Sequence, residues 1–279
     1  MTLSVQGSNL SGSTGLPSSQ NGGPSSSTRG RLILETVDLT KSFGGLLTVN
    51  GVNLRMNSGE LRVIIGPNGA GKTTLFNLIT GYLKPTKGKV LLNGEDITRL
   101  QTHERCKKGI SRSFQVTSIF PELTVRENVW LGINASACVP WHPFQTVEDL
   151  AHASRKVEEI CESVQLGDKL DAMAASLSHG DQRLLEIAIA LSSSPSVLLL
   201  DEPTQGVGPK EVENFNQVIK KISQETTTLV IEHNMATVLA IADVVTVMHE
   251  GQTLAEGSPS VIVANKVVQE VYLGLENPV

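Results

Sequence analysis

Gly66-Pro67-Asn68-Gly69-Ala70-Gly71-Lys72-Thr73 matches the spacing G-x-x-x-x-G-K-[ST] at every fixed position. The flanks supply the context that this spacing requires. Leu61-Arg62-Val63-Ile64-Ile65 is a short apolar run bounded by Gly59 and Gly66, which reads as a buried strand. Thr73-Thr74-Leu75-Phe76-Asn77-Leu78-Ile79 opens a helix. Strand, loop and helix in that order are expected to bind a nucleoside triphosphate. The glycines let successive N–H groups point inward at phosphate oxygens, and the helix N-terminus adds a positive dipole end beneath the same anion. Lys72 is expected to neutralise β- and γ-phosphate charge. The Thr73 hydroxyl is the expected Mg²⁺ ligand, with phosphate oxygens and waters completing the shell.

A phosphate loop alone serves kinases, GTPases and motor ATPases, so the class comes from elsewhere. Val197-Leu198-Leu199-Leu200-Asp201-Glu202-Pro203 reads as a buried strand ending in two carboxylates, the form of a Walker B strand. Asp201 is expected to hold Mg²⁺ through water. Glu202 comes one position later, on the opposite side of an extended strand, and is expected to polarise an attacking water. Two acids before a Pro turn also suit a plain strand end. Upstream, Leu177-Ser178-His179-Gly180-Asp181 precedes Leu184, Leu185, Ile187, Ala188, Ile189 and Leu191, a spacing that suits a largely buried helix. Downstream, Leu229-Val230-Ile231-Glu232-His233 ends another apolar strand in a histidine. A GTPase would need Asn-Lys-x-Asp, and Asn265-Lys266-Val267-Val268 fails at its fourth position.

In this order the elements resemble the nucleotide-binding subunit of an ATP-binding-cassette (ABC) transporter, over about residues 32 to 257. The resemblance implies ATP and Mg²⁺ as ligands and a second ABC ATPase subunit as partner. In that family the Leu-Ser-Gly-Gly-Gln segment of one subunit contacts the γ-phosphate held by the phosphate loop of the other, so two chains enclose two ATP molecules. Ser178 and Gly180 match that segment; His179 and Asp181 depart from it. A carboxylate at Asp181 suits the helix dipole and opposes a nearby phosphate. Phe43 matches the aromatic that stacks on adenine, which needs only a flat π face; a core aromatic at a strand end would look the same. Gln115, in Ser113-Phe114-Gln115, matches the glutamine that reaches Mg²⁺ and the lytic water. His233 matches the switch histidine that bonds the γ-phosphate, although a lone histidine after a strand is more often structural. Gly208 stands where the family frequently has an aspartate. The resemblance thus implies catalytic roles for Glu202, His233 and Gln115. It implies nucleotide contacts by Phe43, Gly66, Pro67, Asn68, Gly69, Ala70, Gly71, Lys72, Thr73, Thr74, Ser178 and Gly180. Mg²⁺ falls to Thr73, Gln115 and Asp201.

The 279 residues suffice for one α/β ATPase domain with an inserted helical lobe. A net charge of −5 offers no electrostatic case for nucleic acid. Cys106, Cys138 and Cys161 are odd in number and lack C-x-x-C spacing, which argues against a disulfide framework or zinc and for a reducing, cytosolic setting. No apolar stretch approaches the roughly 18 residues of a membrane span. Residues 1–30 are read as a disordered tail: Met1 to Thr28 is rich in Ser, Gly, Asn and Gln, has no charged side chain, and lacks the cationic start and apolar core of a secretory signal. Residues 31–279 are read as the ATPase domain. Leu32-Ile33-Leu34 with Val52, Leu54 and Met56 suggests a small antiparallel sheet. The mainly parallel core uses Leu61 to Ile65, Val197 to Asp201, Thr228 to Glu232 and Val244 to Met248, alternating with helices as a P-loop α/β fold requires. Strand signals cease from about residue 116 to 176, the expected helical lobe. Its midpoint, Ala137 to Phe144, reads as a Pro-broken turn.

Phe43-Gly44-Gly45-Leu46 with Val49-Asn50, and Leu254-Ala255-Glu256-Gly257-Ser258-Pro259 followed by Val271-Tyr272-Leu273-Gly274, resemble ATPases of branched-chain and neutral amino acid importers. The urea and short-amide importer ATPases share much of this and remain the alternative; a soluble, non-transport ABC ATPase is the more distant one. The subfamily implies two transmembrane permease subunits, a solute-binding protein acting indirectly, and a peripheral place at the cytoplasmic face of the inner membrane. The second cassette is either another copy or a related chain.

Overall fold

The computed structural model describes residues 1, 30–113, 119–137 and 147–273. Gln115, Val116, Cys138 and the Pro-broken turn fall outside that set, as do residues 2–29 of the expected tail. The described chain opens with strands β1 (Leu32–Phe43), β2 (Leu46–Val52) and β3 (Arg55–Asn57). Strand β4 (Leu61–Ile65) leads through the phosphate loop into helix α1 (Lys72–Ile79), followed by β5 (Lys87–Leu92), β6 (Glu95–Asp96), α2 (Thr102–Lys107) and β7 (Ile110–Arg112). Helices α3 (Val125–Ala137), α4 (Val147–Ser163) and α5 (His179–Leu191) come next, with 3₁₀ turns at Gly167–Lys169 and Ala174–Ser176. Strands and helices then alternate: β8 (Val197–Asp201), α6 (Pro209–Ser223), β9 (Thr227–Ile231), α7 (Met235–Ile241), β10 (Val244–His249) and β11 (Gln252–Gly257). Helices α8 (Pro259–Ala264) and α9 (Lys266–Leu273) follow.

Two sheets result. One is antiparallel, with β2, β1, β5 and β6 in order and β3 paired to β1. The other runs β11-β10-β4-β9-β8-β7, parallel from β10 to β7 and closed by antiparallel β11. The long parallel strands read as mainly apolar runs because both faces are covered. Leu61, Val63, Ile65, Leu198, Leu200 and Val230 project into a core shared with α3 to α7. Their neighbours Ile64, Val197, Leu199, Leu229 and Ile231 project the other way, onto α1 and the antiparallel sheet. Each such fully buried side chain contributes about 1.5–3 kcal/mol.

Two buried arginines interrupt this apolar scheme. Arg62, within β4, bonds Glu60, Glu256 on β11, Thr246 on β10 and the Arg55 carbonyl, so the cation ties the strands around it. Arg105 on α2 is 1% exposed and donates to the carbonyls of Leu78, Ile79, Thr98 and Leu100. Two of these belong to the last turn of α1, whose carbonyls have no partner inside the helix. Burial pulls the Arg105 pKa down to about 10, so it stays charged at neutral pH. Arg105→Met is expected to destabilise the fold by about 3 kcal/mol, since several buried carbonyls lose their donors together. Chemical denaturation measures this; an unchanged midpoint would mean the α1 terminus is held otherwise.

Candidate functional site

The phosphate loop leaves β4 between β9 and β10, at the carboxyl ends of parallel strands. Glycine is obligatory at two of its positions. Gly66 has φ 154°, and a Cβ there would lie 2.2 Å from the Met248 carbonyl oxygen. Gly71 caps α1 with φ 94°, and a Cβ would lie 2.4 Å from the Thr48 carbonyl oxygen. The Lys72 ammonium is buried and donates to the Gly66 and Pro67 carbonyls at 2.6 and 3.0 Å, lying back across the loop. Burial lowers its pKa, against the opposing charges of Glu202 and Asp201, which places both acids within its field. Asn68, Gly69 and Thr73 are exposed on the open side of the loop, with Thr74 half-buried behind them.

Strand β8 delivers Asp201 beside this loop and ends there. Arg112 Nη2 of β7 donates to Asp201 Oδ2 at 2.7 Å, while Nη1 reaches Asn77 Oδ1 on α1. Burial pushes the Asp201 carboxyl up, and Arg112 works against that shift. Oδ1 of Asp201 is buried with no hydrogen-bond partner, an acceptor that suits a cation. Among the described residues no three His, Cys, Asp or Glu side chains gather into a metal cage. A single carboxylate plus a helix-start hydroxyl fits Mg²⁺, which keeps waters and substrate phosphates in its shell.

Glu202 departs from the strand geometry used to place it. Its φ is +49°, so the chain has already left the extended conformation in which successive side chains alternate sides. Its N–H donates to the Ile231 carbonyl at 3.0 Å, and its Oε1 lies 3.8 Å from His233 Nδ1. The turn is held from below by Glu232, fully buried, which accepts from Thr204 Oγ1 at 2.6 Å and from the N–H groups of Thr204, His233 and Asn234. One carboxylate thus ties the segment after Glu202 to the segment carrying His233. The His233 side chain is 56% exposed and Phe43 45%, so neither is a core residue. Lys41 Nζ stands 4.9 Å over the Phe43 ring.

Ser178 and Gly180 open α5 on a different part of the chain. Ser178 Oγ accepts from the Asp181 N–H at 3.1 Å and donates to Asp181 Oδ2 at 2.8 Å. Gly180 is buried against Glu211 of α6, and the imidazole of His179 abuts Gly206. Gly208 caps α6, its N–H donating to Glu211. Of the departures, Asp181 is half-buried in this corner and His179 is exposed at its edge, beside Gly206. A cleft of about 290 Å³ opens beside the same helix, lined by Cys106, Arg112, Ser113, Gly132, Glu186 and Ile189 among others. Glu186 is buried there, its pKa raised by that burial and its Oε1 without a partner.

Residues 49–205 match the family model described as "ABC transporter". The chain belongs to the ABC transporter family. It is 40% identical over 255 residues to the high-affinity branched-chain amino acid transport ATP-binding protein BraF of Pseudomonas aeruginosa, covering 88% of this chain and 98% of that one. An ATP-binding cassette of an ABC transporter solved in its ADP conformation superposes with a TM-score of 0.77 at 34% identity, over 87% of this chain and 99% of that one. A cassette solved as a dimer in a post-hydrolysis state with ADP and Pi gives 0.68 at 26% identity, over 81% and 99%. The chain is an ATP-binding, ATP-hydrolysing cassette subunit.

The sequence did not single out two residues of this constellation, Arg112 and Glu232, the second lying unremarked in the strand run that ends in His233. Neither carries a motif: Arg112 meets Asp201 across 89 residues and Glu232 meets Thr204 across 28.

Proposed function

We propose that this cassette powers uptake of branched-chain or other neutral amino acids, at the cytoplasmic face of the inner membrane, paired with a second cassette and docked on two permease subunits. The observation that carries the reading is the convergence of Lys72, Asp201, Glu202 and His233 around one phosphate loop, in a chain like the BraF transport protein over nearly its whole length. Peripheral attachment accords with the described residues, where no helix is long and apolar enough to cross a membrane.

The residues divide the work. Loop N–H groups and Lys72 hold the β- and γ-phosphates, and Phe43 stacks on adenine. Thr73, Asp201 and Gln115 would hold Mg²⁺, which supplies positive charge against the phosphate oxygens. Glu202 takes the proton of the attacking water, and His233 bonds the γ-phosphate. Ser178 and Gly180 of the opposing chain close over the same nucleotide. Closing and reopening of the pair is what the permeases feel. The complex reconstituted in vesicles with its solute-binding protein is expected to hydrolyse ATP faster with leucine, isoleucine or valine present. Stimulation by urea alone would overturn the substrate assignment.

A docking prediction follows from Phe120. Its side chain is 55% exposed, while its backbone is clamped in both directions by Asn128 and its neighbour Ile119 packs on the core. A rigidly presented aromatic beside the glutamine loop suits a permease helix. Phe120→Ala is expected to weaken complex assembly by one to two orders of magnitude, roughly the loss of one buried aromatic. ATP binding and the melting temperature of the isolated subunit are expected to stay unchanged. Normal assembly would move the docking surface elsewhere.

A further inference from the structure

The corner where Ser178 sits carries two carboxylates, Asp181 and Glu211, where a γ-phosphate is expected to approach. Asp181 lies in the first turn of α5. The Glu211 carboxylate oxygens stand 3.2 and 3.5 Å from where a Cβ on Gly180 would be. The cation answering them is Lys169, from the 3₁₀ turn after α4. Its ammonium donates to both Asp181 oxygens at 2.8 Å and lies in the field of Asp168 and Glu211. The bonds raise the lysine's pKa; burial pushes the Asp181 carboxyl up, but the bonds from Lys169 and Ser178 hold it below its ordinary value. The pair therefore stays ionised at neutral pH.

The same contacts govern the Ser178 proton. Ser178 Oγ donates to Asp181 Oδ2, the oxygen that Lys169 also reaches. A serine that contacts a phosphate oxygen must turn that O–H away from Asp181. With Lys169 bonded, Asp181 keeps a partner on both oxygens when the hydroxyl leaves. Without Lys169, the carboxylate would hold the hydroxyl and repel the phosphate at once.

We propose that Lys169 is a positioning residue of the intersubunit ATP site, neutralising Asp181 so that Ser178 is free to bond the γ-phosphate carried by the opposing cassette. The inference rests on the ATP-enclosing pair proposed above. It also explains how a carboxylate is tolerated at the fifth position of the segment.

The test is ATP-driven dimerisation, followed by sedimentation in a Glu202→Gln background that prevents turnover. Lys169→Met is expected to raise the dimer dissociation constant roughly tenfold, the scale of one uncompensated charge near a phosphate. Lys169→Arg should restore the parent value. Adding Asp181→Asn to Lys169→Met should recover most of the loss, and high salt should narrow the gap by screening. Monomer ATP affinity is expected to remain at its parent value, since the Lys169 side chain bonds Asp181 and not the phosphate loop. Parent-like dimerisation of Lys169→Met overturns the proposal, and so does a loss that Asp181→Asn does not relieve. A Glu202→Gln parent that fails to dimerise with ATP takes down the paired-cassette reading and this inference together. That failure is seen before any change at Lys169.

Discussion

Glu202→Gln is expected to bind ATP normally while steady-state hydrolysis falls by about 10²–10⁴-fold, the contribution of a positioned general base. The substitution removes basicity and little else. The Glu202 backbone sits at φ +49° with its N–H bonded to Ile231, a geometry that glutamine adopts as readily as glutamate. The amide has the same shape and reach, but its oxygen is a feeble proton acceptor. Lys72, which binds phosphate, keeps its bonds to Gly66 and Pro67 and still has Asp201 in its field. Substrate affinity and turnover should therefore separate. Because bound ATP is not consumed, the variant should accumulate as a nucleotide-closed dimer. Phosphate release and sedimentation with ATP measure the two effects. Wild-type turnover in the assembled transporter would assign the base elsewhere.

What was legible in the sequence follows from how locally each feature is determined. The phosphate loop is a contiguous run, and its glycines are required by contacts that any residue larger than glycine would violate, as at Gly66 and Gly71. Strands β4, β8, β9 and β10 showed themselves because burial on both faces makes most of their positions apolar, with the few polar ones, such as Arg62 and Thr228, too sparse to blur them. Strand β7 did not: it is three residues long, two of them polar, and is a strand only because it pairs with β8. Arg112 within it meets Asp201 across 89 residues of chain, a separation no local pattern encodes. Glu232 reads as the polar end of an apolar run, and only the folded turn reveals four donors converging on it. Glu202 is named by motif, but the strand alternation used to orient it does not apply, because β8 stops one residue short of it and its φ is positive.

Lys72→Ala is expected to weaken ATP binding by about 100-fold or more, with loss of hydrolysis following from loss of substrate. The ammonium is the buried cation of the loop and makes two hydrogen bonds to the carbonyls at its start, at 2.6 and 3.0 Å. Turned onto phosphate oxygens, the same donors make charge-assisted bonds, each contributing about 1.5–3 kcal/mol, and a factor of ten in affinity is about 1.4 kcal/mol. Two such bonds account for the expected loss even if loop N–H groups retain all of theirs. Stability should respond differently from affinity. Burial disfavours the charged lysine while Glu202 and Asp201 favour it, and truncation removes these opposed effects together. The melting temperature without nucleotide should therefore change little, whereas the upward shift that ATP gives the wild type should disappear at the same ATP concentration. A lowered melting temperature without nucleotide would make Lys72 a structural clamp on the loop. Unchanged ATP affinity would remove it from the phosphate site.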